Sequence, residues 1–226
     1  VAIDVLKFLL SFDLGGDGSV FFQFIALFMT MSLAVLLGMG MPAVPAYVNV
    51  ALLMGPLLVG LGIATFTAHM FIFYFAVASA ITPPVALAAF AASTITKAEP
   101  MATGISSVRS GIVMFTIPFV FAFYPELLLI DQALIDPTSP TKSPLPGYEN
   151  GIDMVGLTWL LARLIISLYL VATALAQFDM KALSLVEVLT RLILALAILM
   201  KIEFIQFAAI IFSAGLLSWH VWSARQ

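Results

Sequence analysis

The amino-acid sequence predicts an all-α integral membrane protein, a multi-span helical bundle containing a re-entrant hairpin and a discontinuous helix. Three observations carry this. Of the 226 residues, 63% are hydrophobic and only 9% charged, against about 25% charged in an ordinary soluble domain. The 79 residues from 18 to 96 include no Asp, Glu, Lys or Arg. A helix needs roughly 20 apolar residues to cross the hydrocarbon core, so this stretch has room for three or four membrane elements. Within it, two clusters of glycine and proline interrupt apolar runs that otherwise read as helix.

The chain begins at Val1 and reads as an excerpt of a longer polypeptide. Its opening VAIDVLKFLLSF is a short amphipathic start, lacking the basic n-region and cleavage site of a signal peptide. After the turn-rich LGGDGS, an apolar run covers 19–38. Gly40, Pro42 and Pro45 then remove backbone donors and relax dihedral limits, so one helix stops near 38 and another runs from about 43 to 61. The two make a hairpin over 19–62, either re-entrant or fully crossing. A third helix spans 65–96 and must unwind at Ile81-Thr82-Pro83-Pro84, resuming at 85. A span over 108–124 follows, closed by Pro125.

Residues 126–152 form the one long polar segment, where prolines 137, 140, 144 and 146 forbid a continuous helix. Further apolar segments occupy 154–176, about 184–200 and about 203–219. This suggests three regions: a transport region at 1–130, an external polar loop at 131–152, and accessory membrane helices at 153–226. Lys97 and Arg109 flank a 97–109 loop with one acid, whereas 126–153 carries five acids and one lysine. The bias of basic residues towards the cytoplasm places the first inside and the second outside.

Composition also excludes activities. The chain has no cysteine, two histidines (His69 and His220) and a net charge of −3, which removes thiolate chemistry, disulfides and the basic stripe of a nucleic-acid binder. No GxxxxGK[ST], HExxH or GxSxG occurs. GGDG at 15–18 has its acid before the apolar run, with no second acid in the core. Acid–base chemistry therefore has no visible carrier, and no enzyme is expected.

Non-helical backbone at membrane depth survives only where protein packs it or where it lines a wet cavity, because unsatisfied amides and carbonyls cost several kcal/mol. The two breaks, Gly38-Met39-Gly40-Met41-Pro42 and Ser79-Ala80-Ile81-Thr82-Pro83-Pro84, are of this kind. Paired broken helices point to a transporter site, in which unwound carbonyls hold Na⁺ and half-helix N-termini face an anion. Backbone oxygens of Gly38 and Gly40 with Thr82 are the expected sodium ligands. Met39, Pro42, Asn49, Ser79, Pro83 and Pro84 complete the expected ion and substrate site. The competing reading makes the breaks packing kinks, and the surrounding Ala and Ser residues a close-approach surface.

Other polar groups inside the spans carry more local expectations. His69 reads as an interfacial anchor. Arg163, inside 154–176, is a costly membrane charge that calls for snorkelling or a partner acid. Glu187 and Arg191 stand at i,i+4 spacing suited to an ion pair.

The stretches LGMGMPAVPAYVNVALLMGPLLVGLGI, AHMFIFYFAVASAITPPVALAAFAAS and MATGISSVRSGIVMFTIPFVFAFYPELLL, together about 37–129, resemble the large membrane subunit of tripartite ATP-independent periplasmic (TRAP) transporters, the DctM-type permease. The GMGMP form and the extra C-terminal helices look most like fused permeases that work with TAXI-type solute-binding proteins. The resemblance implies half of an elevator-type ion-transporter-superfamily fold in a bacterial or archaeal cytoplasmic (inner) membrane. Sodium would drive import of a small carboxylate delivered by an extracytoplasmic binding protein, with no other cofactor. Gly38 to Pro42 would form the tip of the second hairpin and Ser79 to Pro84 the unwound middle of the next helix. Such permeases contain inverted repeats, so a first repeat and the small-subunit helices are expected as partners beyond this chain. A binding-protein-independent carrier of the same superfamily and a noncatalytic membrane scaffold remain the alternatives.

Overall fold

The structure, a computed structural model, describes residues 17–129, 154–200 and 203–224. The amphipathic opening and the polar segment at 131–152 lie outside the described residues. Helices dominate: α1 (Asp17–Gly38), α2 (Ala43–Gly60), α3 (Thr65–Ala78), α4 (Leu87–Thr96), α5 (Pro100–Gly111), α6 (Thr116–Phe123), α7 (Met154–Ala176), α8 (Leu185–Leu199) and α9 (Glu203–Ala224). Among them α2, the combined α5–α6 segment Pro100–Phe123, and α7 are long and apolar enough to cross a membrane. Large apolar side chains such as Leu52, Ile95, Val155, Ile193 and Phe204 face outward. Helices apolar on their outer as well as inner faces suit a hydrocarbon surround.

The described residues fall into two compact units. The first contains residues 17–111 and 117–129, the second 112–116 with 154–200 and 203–224. In the first unit α1, α2 and α3 pack on one another through stripes at helical spacing: Ala26, Leu27, Thr30 and Ala34; Ala46, Val50, Leu57 and Leu58; Ala68, Phe71, Ile72, Phe75 and Ala76, all buried. Phe119 of α6 closes this core edge-on, its ring 5.3 Å from Phe71 at 90° and 6.0 Å from Phe75. Such tilted contacts match positive ring edges with negative ring faces.

The span expected over 108–124 is longer than the hydropathy suggests, and the 97–109 loop shrinks to residues 97–99. Lys97 ends α4 in the left-handed region, at φ 57°. Glu99 then starts the next helix. Its carboxylate accepts from the amides of Met101 (3.0 Å) and Ala102, two of the donors a helix start leaves open. Thr103 and Ser107 hydroxyls bond carbonyls four residues back, each at 2.9 Å. Polar side chains that depress hydropathy here are thus compatible with helix. Helix geometry tightens to a 3₁₀ turn at Ile112–Phe115, because Pro118 offers no N–H to the carbonyl of Met114.

In the second unit α7, α8 and α9 surround Leu170, Ala195, Ile198 and Ala209. Arg163 reaches across to the end of α8. Its Nε and Nη2 donate to the carbonyl of Ile198, at 3.1 and 2.9 Å, one of the acceptors left open at the end of α8. Ser167 bonds Ala195 O at 3.0 Å. Between α7 and α8 lies a small hairpin that hydropathy did not indicate, β1 (Phe178–Asp179) with β2 (Lys181–Ala182), Asp179 opposite Lys181. Gln177 and Met180, at φ 54° and 59°, make its turns.

Candidate functional site

The two breaks meet in the first unit. α1 ends at Gly38, and the chain turns through Met39 N–H to Val35 O (3.1 Å) and Met41 N–H to Gly38 O (3.2 Å). Gly40 carries φ +76°, a conformation that L side chains rarely adopt. Pro42 then leads into α2 with extended backbone, and its carbonyl accepts from Ala46 N–H at 3.2 Å. No part of this turn needs a charged residue.

At the second break α3 passes into a 3₁₀ turn, Ser79–Ile81, and leaves helical geometry at Thr82. Pro83 and Pro84 lack N–H groups, so the carbonyls of Ser79 and Ala80 lose their ordinary i+4 donors. Thr82 N–H compensates the first, at 3.1 Å. The hydroxyls fold back on the helix: Ser79 donates to Ala76 O at 2.6 Å, and Thr82 donates to Ala78 O at 2.9 Å. With their protons committed inward, both oxygens keep lone pairs for a cation. Helix resumes at Leu87, and the Pro83–Pro84 peptide is cis.

Gly38 packs on Ser79 so closely that a Cβ built there would lie 2.7 Å from the Ser79 Cβ, with Ala46 Cβ at 3.5 Å. Two residues further, a Cβ on Gly40 would lie 3.6 Å from Val85 Cγ1. The structure therefore joins Gly38, Met39, Gly40 and Pro42 to Ser79 and the Thr82–Pro84 unwound segment. Ser79 is buried; Met39, Thr82 and Pro83 are half-buried; Gly40, Pro42 and Pro84 are exposed. Asn49 is exposed on α2, whose buried stripe in that turn is Ala46 and Val50.

Gly104 belongs to this site and was not marked by any sequence pattern. A Cβ on it would meet Pro83 Cγ at 3.1 Å, and Ala86 Cβ and Phe90 Cε1 at 3.6 Å. Helix α5 thus braces the unwound segment from a second side. His69 proves to be a cross-helix partner: its Nδ1 shares a 2.9 Å hydrogen bond with the Tyr47 hydroxyl, joining α2 and α3.

Among the described residues no three His, Cys, Asp or Glu side chains gather into a metal-holding group. The groups that the two breaks themselves present are carbonyl and hydroxyl dipoles, oxygen donors of the kind that hard cations prefer.

A family model for the tripartite ATP-independent periplasmic transporter, DctM component, matches residues 2–134, more than half of the chain. No curated protein and no solved structure matches.

Proposed function

The chain belongs to the DctM component family of tripartite ATP-independent periplasmic transporters, and on that premise we propose that it binds sodium and a small organic anion where its two breaks meet. As a permease component with apolar helices, it works by transport across a bilayer and not by bond chemistry. The observation that carries the proposal is the packing of Gly38 on Ser79, which brings the end of α1, where the first break begins, against the 3₁₀ turn that begins the second, 41 residues later. Carbonyls around Gly38 and Gly40, with the lone pairs of Thr82, would hold the ion. The N-termini of α2 and α4, both opening from a break, would favour the carboxylate. The sodium coupling, the carboxylate class and the dependence on a TAXI-type solute-binding protein are parts of this proposal.

The test is uptake into proteoliposomes holding the complete permease and its small subunit, with and without the binding protein, under an imposed sodium gradient. Gradient-dependent uptake that needs the binding protein and is lost in Gly40→Leu with Thr82→Val supports the reading. Uptake indifferent to that double substitution rejects the site. Uptake without the binding protein would instead indicate an independent carrier.

A further inference from the structure

The small hairpin between α7 and α8 is inside out for a surface that faces water. Along Phe178–Ala182 exposure alternates with the period of a strand: Phe178, Met180 and Ala182 are exposed, Asp179 and Lys181 half-buried. A strand with one solvated face turns its apolar side chains inward and its polar ones outward. Here Phe178 and Met180 are 58% and 65% exposed, and the charged residues take the inner face. Asp179 Oδ2 pairs with Nη1 of the buried Arg191 at 2.8 Å, and Oδ1 accepts from the Tyr169 hydroxyl at 3.0 Å. Lys181 Nζ stands 5.4 Å over the Trp219 ring.

The hairpin also folds back along α7 instead of leaving its end. Tyr169, which holds Asp179, lies seven residues before Ala176, where α7 stops, about 10 Å down the axis. With 23 residues, α7 is about 34 Å long, against about 30 Å for the hydrocarbon core. Its last turns therefore sit at one edge of that core, and the hairpin sits beside them. Non-helical backbone at this depth must find partners within the protein. Strand pairing, the bond from Leu183 N–H to Gln177 O at 2.9 Å, and His220 Nε2 against Asp179 O supply them. Two exposed aromatics with polar tips, Tyr169 and Trp219, flank the hairpin, as in the aromatic belt of a membrane interface.

We propose that the Phe178–Ala182 hairpin is a lipid anchor, with Phe178 and Met180 seated among the acyl chains just beneath the headgroups. The partner is the bilayer, because the outer face of the hairpin continues the apolar surface of the helices it joins. Leu175 at the end of α7, and Leu185 and Val186 at the start of α8, are exposed too, and α7 is long and apolar enough to cross a membrane. Asp179 and Arg191 compensate each other on the protein side, with side-chain exposures of 11% and 0%, so the acyl chains meet neither charge. The anchor fixes the depth of α7 to α9 in the bilayer, whether or not the breaks bind sodium.

The chain has no cysteine, so nitroxide labels at Met180→Cys and, separately, Phe178→Cys report this surface in the full chain in lipid nanodiscs. Both substitutions leave Asp179, Arg191 and Tyr169 in place. Leu196→Cys, on the exposed face of α8, is the lipid-facing reference. Oxygen concentrates among acyl chains and a nickel chelate stays in water, so their collision rates with each label read its surroundings. Oxygen collisions exceeding nickel collisions several-fold at both hairpin sites, as at Leu196, support the anchor. Nickel collisions equal to or above those of oxygen at either site put the hairpin in water and overturn it. Low collision rates with both reagents reveal a covering protein surface and overturn it equally. No readout uses transport, so the result stands apart from the assignment of the breaks.

Discussion

Gly38 and Gly40 fulfil different requirements within three residues of one another. Gly40 needs freedom of φ, at +76°, with open space around its α-carbon apart from Val85. Gly38 needs volume, because Ser79 occupies the place of its missing side chain. Gly38→Ala is therefore expected to destabilise the permease by about 1–3 kcal/mol through overpacking, read by denaturant or thermal unfolding in detergent. Adding Ser79→Ala should relieve this only in part, since it removes the nearest atom, Ser79 Oγ, and leaves the Ser79 Cβ at 2.7 Å; adding Ser79→Gly should relieve it fully. Gly40→Ala is expected to cost a similar 1–3 kcal/mol by backbone strain, and no substitution at Ser79 should rescue it. Gly104→Ala pushes on Pro83 Cγ at 3.1 Å. If the unwound segment is the site, that substitution should change the sodium concentration for half-maximal uptake while unfolding shifts little.

Beside the apolar packing, elements of the second unit are tied by polar groups that find their partners on a neighbouring element. Arg163 of α7 occupies the end of α8 through Ile198 O. Arg163→Met should cost about 1.5–3 kcal/mol, the range for a hydrogen bond from a charged donor, measured by thermal unfolding in detergent. Arg191, expected to pair with Glu187 one turn earlier, pairs instead with Asp179, and Glu187 turns to Ser184 and His220. The hairpin explains the exchange: left-handed residues Gln177 and Met180 fold Asp179 back over α8. Removing the charge with Asp179→Asn leaves Arg191 buried and uncompensated, a loss of about 3–5 kcal/mol. Arg191→Met in the same chain should recover most of it. Failure of the double variant to recover would show that the hairpin, and not the ion pair, holds α7 and α8 together.

At the scale of the whole molecule, family membership and structure bear on different questions. The family match covers residues 2–134 and thus the first unit's breaks; the second unit, built from α7 to α9, lies almost entirely beyond it. Deleting the C-terminal helices tests whether they are accessory. If they only support the first unit, sodium-driven uptake should keep its affinity for ion and substrate and lose capacity. A shift in affinity would assign them a part in binding.

The membrane class, the near-complete set of helices and the two interruptions were legible in the sequence because each depends on local facts. Hydropathy over some twenty residues decides a span, and glycine or proline decides a break wherever it falls. The start of α5 was hidden for an equally local reason, since Glu99, Thr103 and Ser107 are polar yet satisfied within the helix. Other features depended on approach between distant residues. Gly38 meeting Ser79, Gly104 bracing Pro83, and Asp179 taking Arg191 from Glu187 are not functions of spacing along the chain. The sequence determined that this protein has uncharged, unwound backbone inside apolar helices. Only the tertiary structure decided that the two unwound segments touch, because a missing Cβ has its effect through whatever packs into the space it leaves.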